Sequence, residues 1–487
     1  MSDKARHLKD LVSDSVSIEG NADVEISTIT SDSRVVETGA LFAALPGTQV
    51  DGMRFVGDAI AAGANCVLAP EIGEVPSGPT VLRSDDVRRD FALMAARFFA
   101  PQPETVVAVT GTSGKTSVAS FVRQIWLSAK LKAASVGTLG IVSPNGDVYG
   151  GLTTPDPVSL HRSLQSLADD GCTHVALEAS SHGIDQRRLD GVSLKAAGFT
   201  NLGRDHLDYH ETTEAYFDAK ARLFDTLLPQ DAPAIINVDD SYGQLMAERA
   251  RAAGHPVQTV GFQGDDIRIK SVAIDGFGQS VNVNAFGQDV SFLLPLVGEF
   301  QVSNAILAAG LAIAGGCRIE EAFSALESLK GAPGRLELVG RGPGESLCFV
   351  DYAHKPEALD HTLRALKPFT NGRLIVVFGA GGDRDPGKRA IMGGIAEAQA
   401  DIAIVTDDNP RNEDPALVRR AILDAAPKAL EIGDRGKAIR HGVGLLEAGD
   451  VLVVAGKGHE TGQLIKGVMH PFSDHDELRM ALSERGA

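Results

Sequence analysis

Positive charge is what this sequence is short of. Lys and Arg number 46 against 64 Asp and Glu, a net charge of −18. So acidic a chain is repelled by nucleic acid and by anionic membrane surfaces, and neither is expected as a partner. Long apolar runs are missing too. The most apolar stretch, residues 305–317, is too short to span a bilayer and reads as a buried helix. No apolar core follows the charges of Met1-Ser-Asp-Lys-Ala-Arg-His7, so no secretory signal is expected. The four cysteines, Cys66, Cys172, Cys317 and Cys348, are scattered and show no Cys-x-x-Cys spacing. That argues against a zinc ribbon or a disulfide framework and fits reduced thiols in a cytosol, so a cytoplasmic protein is expected. There is no internal repeat or low-complexity tract. What remains is 43% hydrophobic over 487 residues, enough for real cores and, by length, about three domains.

The chain is organised around Thr105-Val-Val-Ala-Val-Thr-Gly-Thr-Ser-Gly-Lys-Thr-Ser117. The apolar and β-branched run predicts a buried strand. Gly111 and Gly114 permit a tight turn. Lys115, Thr116 and Ser117 open a helix in which Val118, Phe121, Val122 and Ile125 recur at helical spacing. Strand, glycine loop, Lys-Thr and helix form a phosphate cradle: amides face the phosphate oxygens, Lys115 adds charge, and the Thr116 hydroxyl suits Mg²⁺. One position departs from the usual pattern, Val109 standing where a glycine is expected.

Before the cradle, residues 1–100 read as a small α/β unit. Strands are expected at 24–30, 41–45 and 66–69 and a helix at 53–62, with polar turns at Ser31-Asp-Ser-Arg34 and Pro46-Gly-Thr-Gln-Val-Asp-Gly52. Ala100-Pro-Gln-Pro103 breaks any helix and reads as a linker. After the cradle, strands and helices alternate as in an α/β domain. The strand 173–177 runs into Glu178-Ala-Ser-Ser-His182. A carboxylate at a strand end beside hydroxyls suits Mg²⁺ in a nucleotide enzyme, and suits equally a plain strand-end cap. Asp205, His206, Asp208 and His210 crowd six positions further on. Lys220 then falls among Tyr216, Phe217, Leu223 and Phe224, on the apolar face of its helix. Either its stem lies on that face while the amine reaches water, or it is a buried lysine with a lowered pKa, catalytic or covalently modified.

From about residue 331 three strands each end in a polar loop: 374–378 into Gly379-Ala-Gly-Gly-Asp-Arg-Asp-Pro-Gly-Lys-Arg389, 402–406 into Asp407-Asp-Asn-Pro-Arg411, and 451–455 into Gly456-Lys-Gly-His-Glu460. In an open parallel sheet such loops line one crevice. Arg384 occupies the third glycine position of a dinucleotide fingerprint, so no such cofactor is expected. Arg389, Arg411 and Glu460 instead point to a zwitterion, guanidinium groups for carboxylates and a carboxylate for an amine.

In order along the chain, Gly111-Thr-Ser-Gly-Lys-Thr-Ser117, Glu178-Ala-Ser-Ser-His182, Thr200-Asn-x-x-x-Asp-His-Leu-Asp-x-His210, the Lys220 helix, Gly334-Arg335 and Asp351-Tyr-Ala-His354 resemble the Mur ligases. These are the ATP-dependent amide-forming enzymes of peptidoglycan precursor synthesis. The resemblance covers essentially the whole chain. It implies an α/β protein of three domains: a UDP-sugar-binding domain at 1–100, a central P-loop ATPase-like domain with a mostly parallel sheet at 101–332, and a Rossmann-like amino-acid-binding domain at 333–487. The C-terminal loops look like those of the member that adds the third peptide residue. The implied substrates are ATP, UDP-N-acetylmuramoyl-L-alanyl-D-glutamate and meso-diaminopimelate, and a monomer is expected. By resemblance, Ser33, Thr48, Gln49, Val50, Thr153, Thr154, Ser180, Gln186 and Arg188 would hold the UDP-muramoyl dipeptide. Gly111, Thr112, Ser113, Gly114, Lys115, Thr116 and Ser117, with Asn304, Arg335 and Asp351, would hold the nucleotide. Thr116, Glu178, His206 and Lys220, as its carbamate, would serve two Mg²⁺ sites, and Lys115, Glu178, His206 and Lys220 form the implied catalytic set. Arg389, Asp408, Asn409, Pro410, Arg411, Gly456 and Glu460 would bind the incoming amino acid. Two stretches depart from the commoner family pattern: Gln301 replaces an Asn, and Thr48-Gln-Val50 replaces His-Gln-Ala.

The implied chemistry is phosphorylation of the D-glutamate side-chain carboxylate, then attack of the amine on the acyl phosphate, with domain closure excluding water. His206 and the Lys220 carbamate are both candidates to accept the amine proton. A folate polyglutamate ligase is the alternative enzyme of this fold, and a nucleotide switch without ligase activity the alternative outside it.

Overall fold

The computed structural model describes residues 5–47, 50–203, 205–206 and 209–486. Thr48, Gln49 and Asp208 lie outside the described residues. The chain forms two compact units, one of residues 1–268 with 306–322, the other of residues 269–305 with 323–487.

In the first unit an N-terminal sheet has the strand order Ser17–Glu19, Thr80–Ser84, Ala64–Pro70, Ala40–Ala43, Thr28–Thr30. All neighbours are parallel except the first pair. Its inner strands carry continuous apolar runs because both faces are covered. Leu41, Ala43, Cys66 and Leu68 pack on Phe91, Met94 and Phe98 of the helix Val87–Phe98. Phe42, Ala44, Val67 and Ala69 pack on Val56 and Ala59. The helix expected at 53–62 is shorter. It begins as a 3₁₀ turn, Gly52–Phe55, capped by the Asp51 carboxylate, and continues as Val56–Ala61.

The linker leads into a second sheet. There the strand Thr105–Thr110 lies between His174–Glu178 and Leu194–Phe199. Ala133–Gly137 on one side, and Ala234–Asn237 and Val257–Gly261 on the other, continue the parallel order. Every parallel strand ends at the same edge, so the loops after Thr110, Gly137, Glu178 and Phe199 gather there. The helix Lys115–Ser128 buries Val118, Phe121, Val122, Ile125 and Trp126, and Trp126 Nε1 donates to Ala312 O at 3.2 Å. The helix carrying Lys220 departs from its expected course. Thr213–Arg222 is α-helical, but Leu223–Leu227 is a π-turn. The wider turn sets Leu223, Phe224 and Leu228 into the core alongside Tyr216. π-turns inside helices are often found at functional sites.

The second unit is built on a sheet ordered Glu337–Arg341, Leu347–Asp351, Val451–Ala455, Leu374–Phe378, Ile402–Val405, Leu430–Glu431. The four inner strands are parallel. Alternate residues feed two cores. Phe349, Val376, Phe378 and Val453 meet Leu359, Leu363 and Met392; Val350, Ile375, Val377 and Val454 meet Ile439, Val443 and Leu478. An antiparallel hairpin, Gly462–Ile465 with Val468–Pro471, stands beyond the last inner strand. No helix among the described residues is long and apolar enough to cross a membrane.

Candidate active site

At the loop edge of the first unit, Gly111 and Gly114 take φ of +143° and +89°, a left-handed region that glycine enters without strain. A Cβ on Gly111 would also fall 1.9 Å from Thr200 Oγ1. Thr200 Oγ1 donates to Ser113 O at 2.7 Å, and Asn201 Oδ1 accepts from Ser113 N at 3.1 Å, so the Thr-Asn pair braces the cradle. Lys115 Nζ folds back onto Gly111 O (2.8 Å) and Thr112 O (2.9 Å).

Glu178 is 2% exposed. Its Oε2 accepts from Thr116 Oγ1 at 2.9 Å and Thr138 Oγ1 at 3.2 Å, and its Oε1 from Thr138 N at 2.8 Å. The carboxylate and the P-loop hydroxyl expected to serve Mg²⁺ are therefore in contact. Thr138 was not foreseen; its place just past a strand end of the parallel sheet was the available signal. Five of the substrate residues expected from the resemblance, Thr153, Thr154, Ser180, Gln186 and Arg188, also cluster. Thr153 and Thr138 hydroxyls lie 3.0 Å apart. Thr154 Oγ1 donates to Glu178 O (2.8 Å) and accepts from Ser180 Oγ (3.0 Å). Arg188 donates to Thr154 O (2.7 Å) and Gln186 Oε1 (2.7 Å). Gln186 Nε2 reaches Tyr209 OH at 3.2 Å. Ser33 opens a 3₁₀ turn behind Asp32, whose exposed carboxylate is held down to about 2 by hydrogen bonds from Arg34. Val50 is exposed. A cleft of about 790 Å³ runs along Ser27–Asp32 to Asp156, Ser159 and Arg162.

Lys220 is 1% exposed. Its Nζ donates to Gly111 O at 2.8 Å and sits 4.3 Å from the centre of the Tyr216 ring. Burial, reinforced by the like charge of Lys115, holds the amine well below the usual lysine range, against an opposing pull from Asp205. Of the two readings of Lys220, the buried one is what the fold adopts. His206 is exposed, with φ +54°. Its ring lies 4.8 Å from His182 and 6.1 Å from Tyr216, centre to centre, and its Nε2 is 3.6 Å from Asp205 Oδ2. Among the described residues no group of three or more His, Cys, Asp or Glu is placed to hold an ion.

In the second unit, Asn304 Nδ2 donates to Gln301 Oε1 (3.2 Å), and Gln301 Nε2 reaches Arg335 O (3.4 Å). The unusual Gln301 thus ties Asn304 to the Arg335 turn. The Arg335 guanidinium stacks on Tyr352 at 4.7 Å, and its buried Nε has no hydrogen-bond partner among the described residues. Both Asp351 oxygens are engaged: Oδ2 accepts from Leu336 N (2.6 Å), Oδ1 from Ala353 N and Thr362 Oγ1 (2.9 Å each). Asp351 therefore clamps the turn that carries Arg335.

The three C-terminal loops converge as the parallel sheet requires. Asp408 is buried. Its Oδ1 accepts from Asn409 N at 2.6 Å, while its Oδ2 is buried without a hydrogen-bond partner among the described residues. A Cβ on Gly456, which has φ +123°, would fall 2.6 Å from that oxygen. Arg389 is buried, paired with Glu413 Oε1 at 2.8 Å, and its Nε is also without a partner. Arg411, at φ +52°, donates from NH1 to Gly382 O at 2.8 Å. Its backbone is held by the hairpin through Leu464 O (3.0 Å) and Lys466 N (2.7 Å). Pro410 O lies against Gly382. Glu460 Oε2 accepts from Asn409 Nδ2 at 3.0 Å and Lys457 Nζ at 2.9 Å. Two further residues escaped the sequence reading, Arg435 and Asp474, a fully buried bidentate pair at 2.7 Å on each arm. Arg435 also donates to Ala455 O at 3.0 Å, the end of the strand before Gly456.

Three family models match this chain: the Mur ligase catalytic domain at residues 25–97, the Mur ligase middle domain at 109–312, and the Mur ligase glutamate ligase domain at 334–458. A Mesorhizobium japonicum protein named UDP-N-acetylmuramoyl-L-alanyl-D-glutamate–2,6-diaminopimelate ligase is 56% identical over 473 residues, covering 96% of this chain and 98% of its own. A protein of the same name from Chelativorans sp. is 55% identical, covering 99% of this chain and 100% of its own. A solved structure under that name superposes with a TM-score of 0.75 at 34% identity, covering 99% of this chain and all of the other. With family matches running from residue 25 to residue 458 and relatives more than half identical over nearly its whole length, the chain belongs to the Mur ligase family.

Proposed function

We propose that this chain joins meso-2,6-diaminopimelate to UDP-N-acetylmuramoyl-L-alanyl-D-glutamate with cleavage of ATP to ADP and phosphate, a cytoplasmic step of peptidoglycan precursor synthesis. The observation that carries the reading is two buried atoms without a hydrogen-bond partner among the described residues, Asp408 Oδ2 in the loop after strand Ile402–Val405 and Arg389 Nε in the first turn of the helix Gly387–Gln399. Buried polar atoms are normally satisfied. An anion and a cation both left short, beside Glu460 and Arg411, suit an amino acid's ammonium and carboxylates. The curated relatives named above carry the same substrates in their names. The four free, buried cysteines support a reducing compartment.

ATP phosphates are proposed to lie on the Gly111–Ser117 loop, with Lys115 turning from its carbonyls to the phosphoryl oxygens. Asn304 and Arg335 are proposed to contact the nucleotide. Mg²⁺ fits the donor set: one buried carboxylate, Glu178, a P-loop hydroxyl, Thr116, and His206, with nucleotide oxygens completing a hard-ligand shell. When bound it supplies neutralising charge for phosphoryl transfer. Transfer of the γ-phosphoryl group to the glutamate carboxylate gives an acyl phosphate. The diaminopimelate amine attacks its carbonyl, phosphate leaves, and the amine proton passes to a base. Burial disfavours the charged form of the Lys220 amine, and the neutral form is the one that adds CO₂; nitrogen bonds carbon and a proton is released, leaving a carbamate whose negative charge suits a second Mg²⁺.

Diaminopimelate and lysine differ by one distal carboxylate, and Arg411 is its proposed partner. Phosphate release with ATP, Mg²⁺ and the UDP-muramoyl dipeptide should require diaminopimelate and not respond to L-lysine. Arg411→Ala should lower kcat/KM for diaminopimelate by about 100-fold or more, the loss of one charged hydrogen-bonded pair. Turnover with lysine would overturn the specificity argument, and turnover with a folate substrate in place of the UDP-sugar would overturn the function.

A further inference from the structure

Lys457 stands in the middle of the amino-acid loops, yet its side chain is 0% exposed. Its ammonium lies 2.9 Å from Glu460 Oε2 and 3.2 Å from Asn409 Oδ1. Asn409 is fixed from both ends: Oδ1 also accepts from Leu464 N at 2.9 Å, and Nδ2 donates to the same Glu460 oxygen at 3.0 Å. Lys457, Asn409 and Glu460 therefore close a triangle that joins the loop after strand Ile402–Val405, the loop after strand Val451–Ala455 and the hairpin. Glycines on either side, at φ +123° and +54°, let the chain turn the lysine inward. A Cβ on Gly458 would fall 2.8 Å from Tyr352 Cβ. An ammonium taken wholly out of water is costly unless it is paired and hydrogen-bonded. Here both conditions are met by side chains of the amino-acid site.

We propose that Lys457 is a positioning residue of that site, setting the orientation of Glu460 and Asn409 without touching substrate. It occupies Glu460 Oε2 and so fixes the carboxylate's orientation. It also orients the Asn409 amide, whose oxygen is spent on Lys457 and Leu464. The Asp408 and Glu460 carboxylates are then a fixed pair with a neighbouring cation to offset them, matched to the ammonium of a zwitterion. This rests on the reading of these loops as the amino-acid site.

The test compares the full-length wild type, Lys457→Met, Glu460→Gln and the double variant. KM is measured for diaminopimelate, ATP and the UDP-muramoyl dipeptide in turn. Lys457→Met should raise the diaminopimelate KM on the order of 10- to 100-fold, as expected when binding groups lose their geometry. The other two KM values should stay within about twofold, which a general loss of structure would not allow. Adding Lys457→Met to Glu460→Gln should cost no more than about a further twofold, because the lysine acts mainly through the glutamate and Asn409 Oδ1 is still held by Leu464 N. That last comparison decides the matter even if Lys457→Met alone fails to fold, since in the double variant residue 460 is no longer a carboxylate deprived of its ion-pair partner. A further loss of about tenfold in the double variant, or equal rises in all three KM values, would overturn the proposal. Wild-type turnover that does not depend on diaminopimelate would instead remove the site reading beneath it.

Discussion

Lys220 and Arg435 are both buried cations, one in each compact unit, and they have opposite fates. Each is about as enclosed as the other, at 1% and 2% exposure. Lys220 gives its hydrogen bond to a backbone carbonyl, with Lys115 close enough to add repulsion. Its charged form is disfavoured. For Arg435 desolvation also pulls the pKa down, but the charge and hydrogen bonds of Asp474 outweigh it and the net shift is upward. Burial alone therefore does not decide whether a cation stays charged. The counter-ion decides it. The first unit keeps an amine whose charged form is disfavoured next to its phosphate loop, where a reactive nitrogen is useful. The second keeps a permanent charge under the strand that leads to Gly456, where a fixed scaffold is useful.

The comparison breaks first at Lys220. Lys220→Ala should lower kcat on the order of 10⁴-fold, the upper end of what one acid–base or charge-bearing group supplies. Short carboxylates such as acetate should restore part of it by standing in for the carbamate. Phosphate release at saturating substrates measures both. A wild-type rate in Lys220→Ala would mean that the neutral amine has no chemical role. The second break is at Arg435. Asp474→Asn leaves a buried guanidinium without its anion and should cost about 3–5 kcal/mol in denaturant unfolding. Replacing both partners, Arg435→Met with Asp474→Leu, should recover most of that. Equal losses in the single and double variants would show that packing, not the pairing, is what Asp474 supplies.

Lys220 and Arg435 also mark what was legible in the sequence. Lys220 stood out because a lysine amid Tyr216, Phe217, Leu223 and Phe224 violates a 3.6-residue pattern. Yet the π-turn that follows it was invisible, since an extra residue in one turn leaves apolar composition unchanged. Arg435 did not stand out. It lies in Gly433-Asp-Arg-Gly-Lys437, which reads as a solvated helix start, and its partner is 39 residues away. Parallel-sheet logic placed the loops after Phe378, Val405 and Ala455 together because strand ends share an edge whatever their side chains. It could not assign Asp351, whose carboxylate clamps the Arg335 turn, because a satisfied aspartate and a ligand-facing one have the same sequence. Nor could it single out Lys457, which sits between two glycines with no periodic pattern to violate.

The finest test of the comparison is the pH dependence of stability. Unfolded Lys220 binds a proton below its ordinary pKa of 10.5, while the folded protein holds the amine neutral well below that value. The unfolded state thus binds more protons, so stability rises with pH from the folded-state pKa up to 10.5 and is lost as pH falls through the folded value. One such group contributes up to about 1.4 kcal/mol per pH unit between those two values. The wild type, freed of CO₂, should therefore gain more stability than Lys220→Met, which has no proton to bind, as pH rises to about 8.5. The range stops short of 9 for a reason. Burial pushes the Cys66 and Cys348 thiols up to about 12, and their ionisation on unfolding adds a slope of opposite sign above 9. Arg435 adds no slope in the same window, being charged in both states. Identical pH slopes for wild type and Lys220→Met would mean that Lys220 is charged in the folded protein. The two buried cations would then differ in their partners but not in their state.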